Sequence, residues 1–103
     1  MERSYETMLI IRPDLSQEEK EKVFEKLKRK ISDLGGKIFE AKIWAERNFM
    51  YPLRLRGAEK KKFNRGVYYL LRFSLDVEKM PDFKETIRLE ENILRNLIIR
   101  RDG

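Results

Sequence analysis

Only two stretches of this chain carry helical periodicity, and each is bracketed by short strand-like runs. That interleaving constrains the fold more than any other feature. The first helical stretch opens at Ser16-Gln17-Glu18-Glu19. This is a capping box: the Ser16 hydroxyl accepts from the Glu19 amide, and the Glu19 carboxylate reaches back to Ser16. Val23, Phe24, Leu27, Ile31 and Leu34 then recur as one apolar stripe, with Lys and Glu on the opposite face. Pairs such as Glu18 and Lys22 stand four residues apart. Gly35-Gly36 ends the helix, because glycine takes the left-handed cap conformation cheaply. The second helical stretch runs from about Val77 to Leu89, with Met80, Phe83 and Ile87 inward and Pro81 near its first turn.

Four strands fill the spaces between. Residues 5–11 form a short apolar run, too brief for a helix and stopped by Arg12-Pro13-Asp14. Residues 37–51 read as a long strand. Ile38, Glu40, Lys42 and Trp44 share one face of it; Phe39, Ala41 and Ile43 share the drier face expected to meet the core. Pro52 marks an edge or a bend, and residues 54–65 read as a basic loop. In residues 66–74, Val67, Tyr69, Leu71 and Phe73 alternate with Tyr68, Leu70 and Arg72. The last strand is expected over residues 93–100, where Leu97-Ile98-Ile99 is apolar.

The order is β-α-β-β-α-β, the split βαβ or ferredoxin-like arrangement of the α+β class. A single domain over residues 1–103 is expected, with a four-stranded antiparallel sheet and both helices on one face. The other face stays open, and Trp44, Tyr68 and Leu70 are candidates to lie on it. Such a patch marks an interaction surface.

Composition narrows function by exclusion. The chain contains neither Cys nor His. Thiol nucleophiles, imidazole bases, thiolate metal sites and disulfides are therefore ruled out together. No cofactor, metal or small-molecule substrate is expected. No apolar run approaches the roughly 20 residues of a membrane span, and the N-terminus lacks a signal-peptide pattern. A cytoplasmic location without a membrane partner fits. Charged residues make up 41% of the chain, against about 25% in ordinary soluble domains. The Lys and Glu bias is one reported for hyperthermophile proteins.

The net charge of +6 is localised. Residues 43–72 hold eight cations (Arg47, Arg54, Arg56, Lys60, Lys61, Lys62, Arg65 and Arg72) against Glu46 and Glu59, so the rest of the chain is neutral. A local excess of this kind builds a face for a polyanion, or else a solvated surface that aids solubility. Lys60-Lys61-Lys62 reads as an arm that meets phosphate or as a solvated loop. Arg65 to Arg72 partly matches the RNA-recognition-motif consensus. However, Tyr68 stands where a small residue is expected, and the first strand has no base-stacking aromatic near its centre. The acylphosphatases share this fold and need neither His nor Cys, but their phosphate loop is glycine-rich. Here Arg12-Pro13-Asp14-Leu15-Ser16 stands at that place without glycine. The many carboxylates alternate with cations on helix faces, as in salt-bridged solvated surface.

The stretch Trp44-Ala45-Glu46-Arg47-Asn48-Phe49-Met50-Tyr51-Pro52-Leu53 resembles the Trp-Gly-x-Arg-x-Leu-Ala-Tyr-Pro-Ile segment of the bacterial small-subunit ribosomal protein six family. Tyr5-Glu6 with Arg12-Pro13-Asp14 resembles the family's start, and Gly66-Val67-Tyr68 its entry to the third strand. Residues 88–95 (Arg-Leu-Glu-Glu-Asn-Ile-Leu-Arg) resemble the turn before its last strand. Ala45 replaces a Gly, Met50 a small residue, and Glu90 stands where some relatives carry a cation. The loop over 54–65 is longer, and the acidic tail of some relatives is absent. The resemblance implies a non-catalytic protein that binds the central domain of small-subunit ribosomal RNA as a heterodimer with small-subunit ribosomal protein eighteen. On that reading the RNA contacts fall on Arg3, Arg47, Arg54, Arg56, Arg88, Asn92 and Arg95. The partner surface includes Trp44, Tyr51 and Tyr68. Two other classes are a small-molecule-sensing module that dimerises through its sheet and an acylphosphatase-like enzyme. Purified protein is expected to hydrolyse no acyl phosphate above background. Turnover that copurifies with the chain and disappears on replacing an arginine would overturn the non-enzyme reading.

Overall fold

The computed structural model describes the backbone of residues 1–54 and 62–101. Between Trp44 and Asn64 it describes the side chain of Glu46 alone. The elements run β1 (Glu2–Ile11), α1 (Gln17–Asp33), β2 (Lys37–Arg54), β3 (Lys62–Asp76), α2 (Met80–Leu89) and β4 (Ile93–Arg100). The four strands form one antiparallel sheet in the order β2-β3-β1-β4. β1 and β2 are therefore parallel and joined across α1, while β3 and β4 are parallel and joined across α2. This is the split βαβ topology expected from the sequence.

α1 forms as its sequence dictates. The Ser16 Oγ accepts from the Glu19 amide at 3.1 Å, and the Glu19 carboxylate accepts from the Ser16 amide at 3.1 Å. These bonds, with Lys22 and Arg12 adding to them, hold the Glu19 carboxyl below the ordinary carboxylate range. Val23, Leu27 and Ile31 are buried, with Phe24 and Leu34 packed beside them. The helix stops where Gly35 turns left-handed at φ 84°. Gly36 is needed for a different reason: a Cβ there would sit 2.4 Å from the Ser74 carbonyl oxygen and 2.9 Å from Ile31. Its missing side chain lets the start of β2 lie flat against the end of β3.

The second helix begins later than the period implies. Asp76 caps a 3-10 turn over Val77–Lys79 by accepting from the Glu78 amide at 2.9 Å, and α-helix starts only at Met80. Pro81 causes this delay. It has no amide to donate back to the Val77 carbonyl, which accepts from the Met80 amide instead and so closes a 3-10 turn. Met80, Phe83 and Ile87 then face inward, as the spacing requires. Phe83 packs on Phe73 and Phe24 on Tyr69, with ring centroids 5.0 and 4.5 Å apart.

β1 and β3 extend beyond the limits expected, because each finds a full-length antiparallel neighbour. They pair from Glu2 with Asp76 to Ile11 with Val67. Residues 62–65, read as loop, belong to β3; residues 55–61 lie outside the described residues. The expected core face of β2 needs correction. Ile38 pairs with Phe73 and Ala41 with Leu71, but Phe39 is 62% exposed, and Ile43, though opposite the buried Tyr69, is 52% exposed at the sheet edge. The register shifts by one between Ile38 and Glu40 and again between Ile43 and Ala45. Each shift inserts an extra residue that breaks the two-residue alternation. Pro52 also lies on this strand, which is tolerable because β2 is an edge.

Ser16→Ala is expected to cost about 1 kcal/mol of unfolding free energy. Gly36→Ala should cost more, on the order of 1–3 kcal/mol, because backbone rather than a movable side chain stands in the way. Because the Glu19 carboxyl is held low in the folded state, its contribution is full at neutral pH and is lost as pH falls through that lowered value. The stability gap between the parent and Glu19→Gln should therefore shrink in acid. Urea unfolding across pH measures all three effects.

Candidate nucleic-acid and partner interfaces

One row of backbone pairs crosses the sheet at the end where the β2–β3 hairpin departs. Glu46 pairs with Val67, Val67 with Ile11, and Ile11 with Ile93. At about 4.8 Å per strand step the row spans roughly 14 Å. Beyond it Arg47 pairs with Gly66 and Arg54 with Lys62, so the hairpin carries the cationic segment out from this end. Arg65 forks onto Glu46, its Nε 3.1 Å from Oε1, and this lowers the Glu46 carboxyl. The side chains of Arg47 and Arg54 lie outside the described residues, as does all of Arg56. At the other side of the row the Arg12 amide donates to the Asn92 carbonyl at 3.1 Å. Asn92 is half-buried, and Arg95, opposite Ile10, is exposed. Hairpin, Asn92 and Arg95 are thus gathered at one sheet end.

The remaining expected cations lie apart. Arg3 pairs with Leu75 and shares the helix-covered face with Tyr5 and Leu9, its Nε buried without a hydrogen bond. Arg88 lies on the outer side of α2 and donates to Glu85 from Nε at 2.9 Å. Each partner stabilises the other's charge, so the Arg88 pKa is raised and that of Glu85 lowered.

The second surface is the sheet face that the helices leave uncovered. By register it carries Glu6, Met8 and Ile10 of β1, Tyr68, Leu70 and Arg72 of β3, and Arg95, Leu97 and Ile99 of β4, with Arg95 at the end of the face nearest the hairpin. Leu97 is 60% exposed and Ile99 43%. Tyr68 is half-buried, and Leu70, expected on this face, is there but covered by its neighbours. A shallow depression of about 420 Å³ lies among Glu6, Met8, Lys42, Leu70, Arg72, Leu97 and Ile99. An ionic ladder crosses it. Arg72 Nε stands 3.0 Å from Glu6 and 3.6 Å from Glu40, and Arg101 reaches Glu6 at 3.5 Å. Trp44 occupies the extra position between Ile43 and Ala45; its side chain and that of Tyr51 lie outside the described residues.

Sequence reasoning missed Met8, Leu97 and Ile99 as surface residues, having read them only as apolar strand. The signal was present in β4, where Leu97 and Ile99 flank Ile98 with opposite parity. Among the described residues no group of three or more His, Cys, Asp or Glu is placed to hold a metal ion. No helix there is long and apolar enough to cross a membrane.

Fold and surfaces together define a ferredoxin-like domain with a cationic sheet end and an open, partly apolar sheet face. The chain belongs to the ribosomal protein S6 family, whose model matches residues 4–100. It is 36% identical over 100 residues to small ribosomal subunit protein bS6 of Thermoanaerobacter pseudethanolicus, covering 97% of this chain and 98% of the relative. With the same protein of Dictyoglomus turgidum it shares 32% identity over 96 residues, covering 93% and 92%. Its structure is similar to the crystal structure of 30S ribosomal protein S6 from Thermotoga maritima. The TM-score is 0.83 at 33% identity, over 98% of this chain and 89% of the other. Membership makes it a protein of the small ribosomal subunit, part of a cytoplasmic ribonucleoprotein that serves translation.

Proposed function

We propose that this chain is a single non-catalytic domain that binds the central domain of small-subunit ribosomal RNA together with small-subunit ribosomal protein eighteen. The observation that carries the reading is the separation of two surfaces: the cationic hairpin leaves one sheet end, while the open sheet face presents Tyr68, Leu97 and Ile99. RNA is held at the first, chiefly by phosphate neutralisation through Arg47, Arg54, Arg56 and Arg95, with Arg3 and Arg88 as outlying contacts. The partner covers the second, with Trp44, Tyr51 and Tyr68 as aromatic anchors. Arg12 supports a role without catalysis. It is the arginine that follows β1, and its guanidinium is forked onto Asp14 at 2.7 and 2.9 Å.

Calorimetry of the protein pair and filter binding to a central-domain RNA fragment separate the two surfaces. Trp44→Ala and Tyr68→Ala are each expected to weaken the pair by more than about 1 kcal/mol while the chain stays folded. Arg54→Ala should leave the pair intact, weaken RNA capture and lower the salt slope by about 0.9 log unit per log unit of salt. Salt-independent RNA affinity, or normal pairing by both aromatic variants, would overturn the assignment.

A further inference from the structure

A buried carboxylate lies behind the sheet end assigned to RNA. Glu90, in the turn between α2 and β4, is 8% exposed. Lys26 of α1 reaches it with Nζ 3.2 Å from Oε2. Its other oxygen, Oε1, accepts from the Asn92 amide nitrogen at 3.3 Å and from Asn92 Nδ2 at 3.2 Å. The Asn92 carbonyl in turn accepts from the Arg12 amide at 3.1 Å. Asn92 is thus held by its backbone on both sides and by its side chain.

The chemistry of Glu90 fixes which way the Asn92 amide faces. A flipped amide would set its oxygen against a carboxylate oxygen, two acceptors with no proton between them. With Nδ2 turned to Glu90, the end of the amide left over is the carbonyl oxygen. Among the described residues nothing donates to it. Phosphate offers only acceptors, so it makes no bond with this oxygen. The ribose 2′-hydroxyl is a donor, and the wide, shallow minor groove of an RNA helix displays it.

Building on the RNA-binding reading, we infer that Glu90, neutralised by Lys26, is a positioning residue that locks Asn92 as a hydrogen-bond acceptor for a ribose 2′-hydroxyl. Asn92 then differs in kind from the arginines around it. They hold the polyanion, and it tests whether the sugar is ribose.

The experiment is filter binding of the full chain, with protein eighteen present, to a central-domain RNA fragment at several salt concentrations. Unfolding curves confirm the folded fraction of each variant. Asn92→Ala should weaken binding about three- to tenfold, the worth of one hydrogen bond, with the salt slope unchanged. Arg95→Ala, by contrast, should lower the slope by about 0.7–0.9. Glu90→Gln should weaken binding similarly in the parent and add nothing in the Asn92→Ala background. A single 2′-deoxy substitution in the RNA should reproduce the Asn92→Ala loss and be silent against that variant. The inference falls if Asn92→Ala is without effect or lowers the salt slope. It also falls if Glu90→Gln changes affinity equally in both backgrounds, or if no 2′-deoxy position couples to Asn92. In each of those cases a salt-dependent affinity leaves the RNA-binding reading standing. Failure of the parent chain to bind the fragment at all would remove that reading and the inference with it.

Discussion

β3 carries the constraint on which everything else rests. Val67, Tyr69, Leu71, Phe73 and Leu75 point one way from it and are each at most 4% exposed. Tyr68, Leu70 and Arg72 point the other way by the pleat of the strand. Two helices are enough to bury the first set and are placed only there, because both crossovers run on the same side. A strand with apolar or aromatic residues on both faces, in a sheet covered on one, leaves a surface suited to another molecule. The proposed function rests on an incomplete sandwich rather than on a cleft.

Charge is then distributed by topology. β2 and β3 run on past the row through Glu46, Val67 and Ile11, and most cations of the positive segment belong to that stretch of sequence. The ladder through Glu40, Arg72, Glu6 and Arg101 does the opposite work on the open face. It neutralises charge locally across strands, and its members are worth little singly because most are exposed. The contrast between a cation-rich strand end and a self-balanced face is what the proposed function rests on.

Much of this was legible in the sequence where the cause is local. The Ser16 capping box, the α1 stripe and the left-handed Gly35 are signals within a few residues of their effects, whereas Gly36 is required by the close approach of Ser74, which no local pattern reports. Phe39 was misplaced because alternation assumes an unbroken pleat, and the extra residue after Ile38 shows only in the pairing with β3. The α2 start moved because Pro81 lacks the amide that a helix begun at Val77 would need, a loss the apolar period does not report. The positive hairpin was visible as a charge count, yet which cations share an end with Asn92 depends on β1 lying between β3 and β4. The Lys26 to Glu90 contact joins residues 64 apart and has no sequence signal at all.

The strand order also bears on how the chain matures. β1 is made first, yet it lies inside the sheet, between β3 and the last strand made, with Tyr5 opposite Arg100. Synthesis delivers the chain from its N-terminus. Until residues 93–100 are available, one side of β1 is an unpaired backbone edge with no helix beside it to stand in. Closing that edge brings together residues from opposite ends of the chain, a non-local pairing whose loop entropy slows folding. A nascent chain of this design therefore completes this sheet only once β4 has been translated, and until then the side of β1 away from β3 stays unpaired.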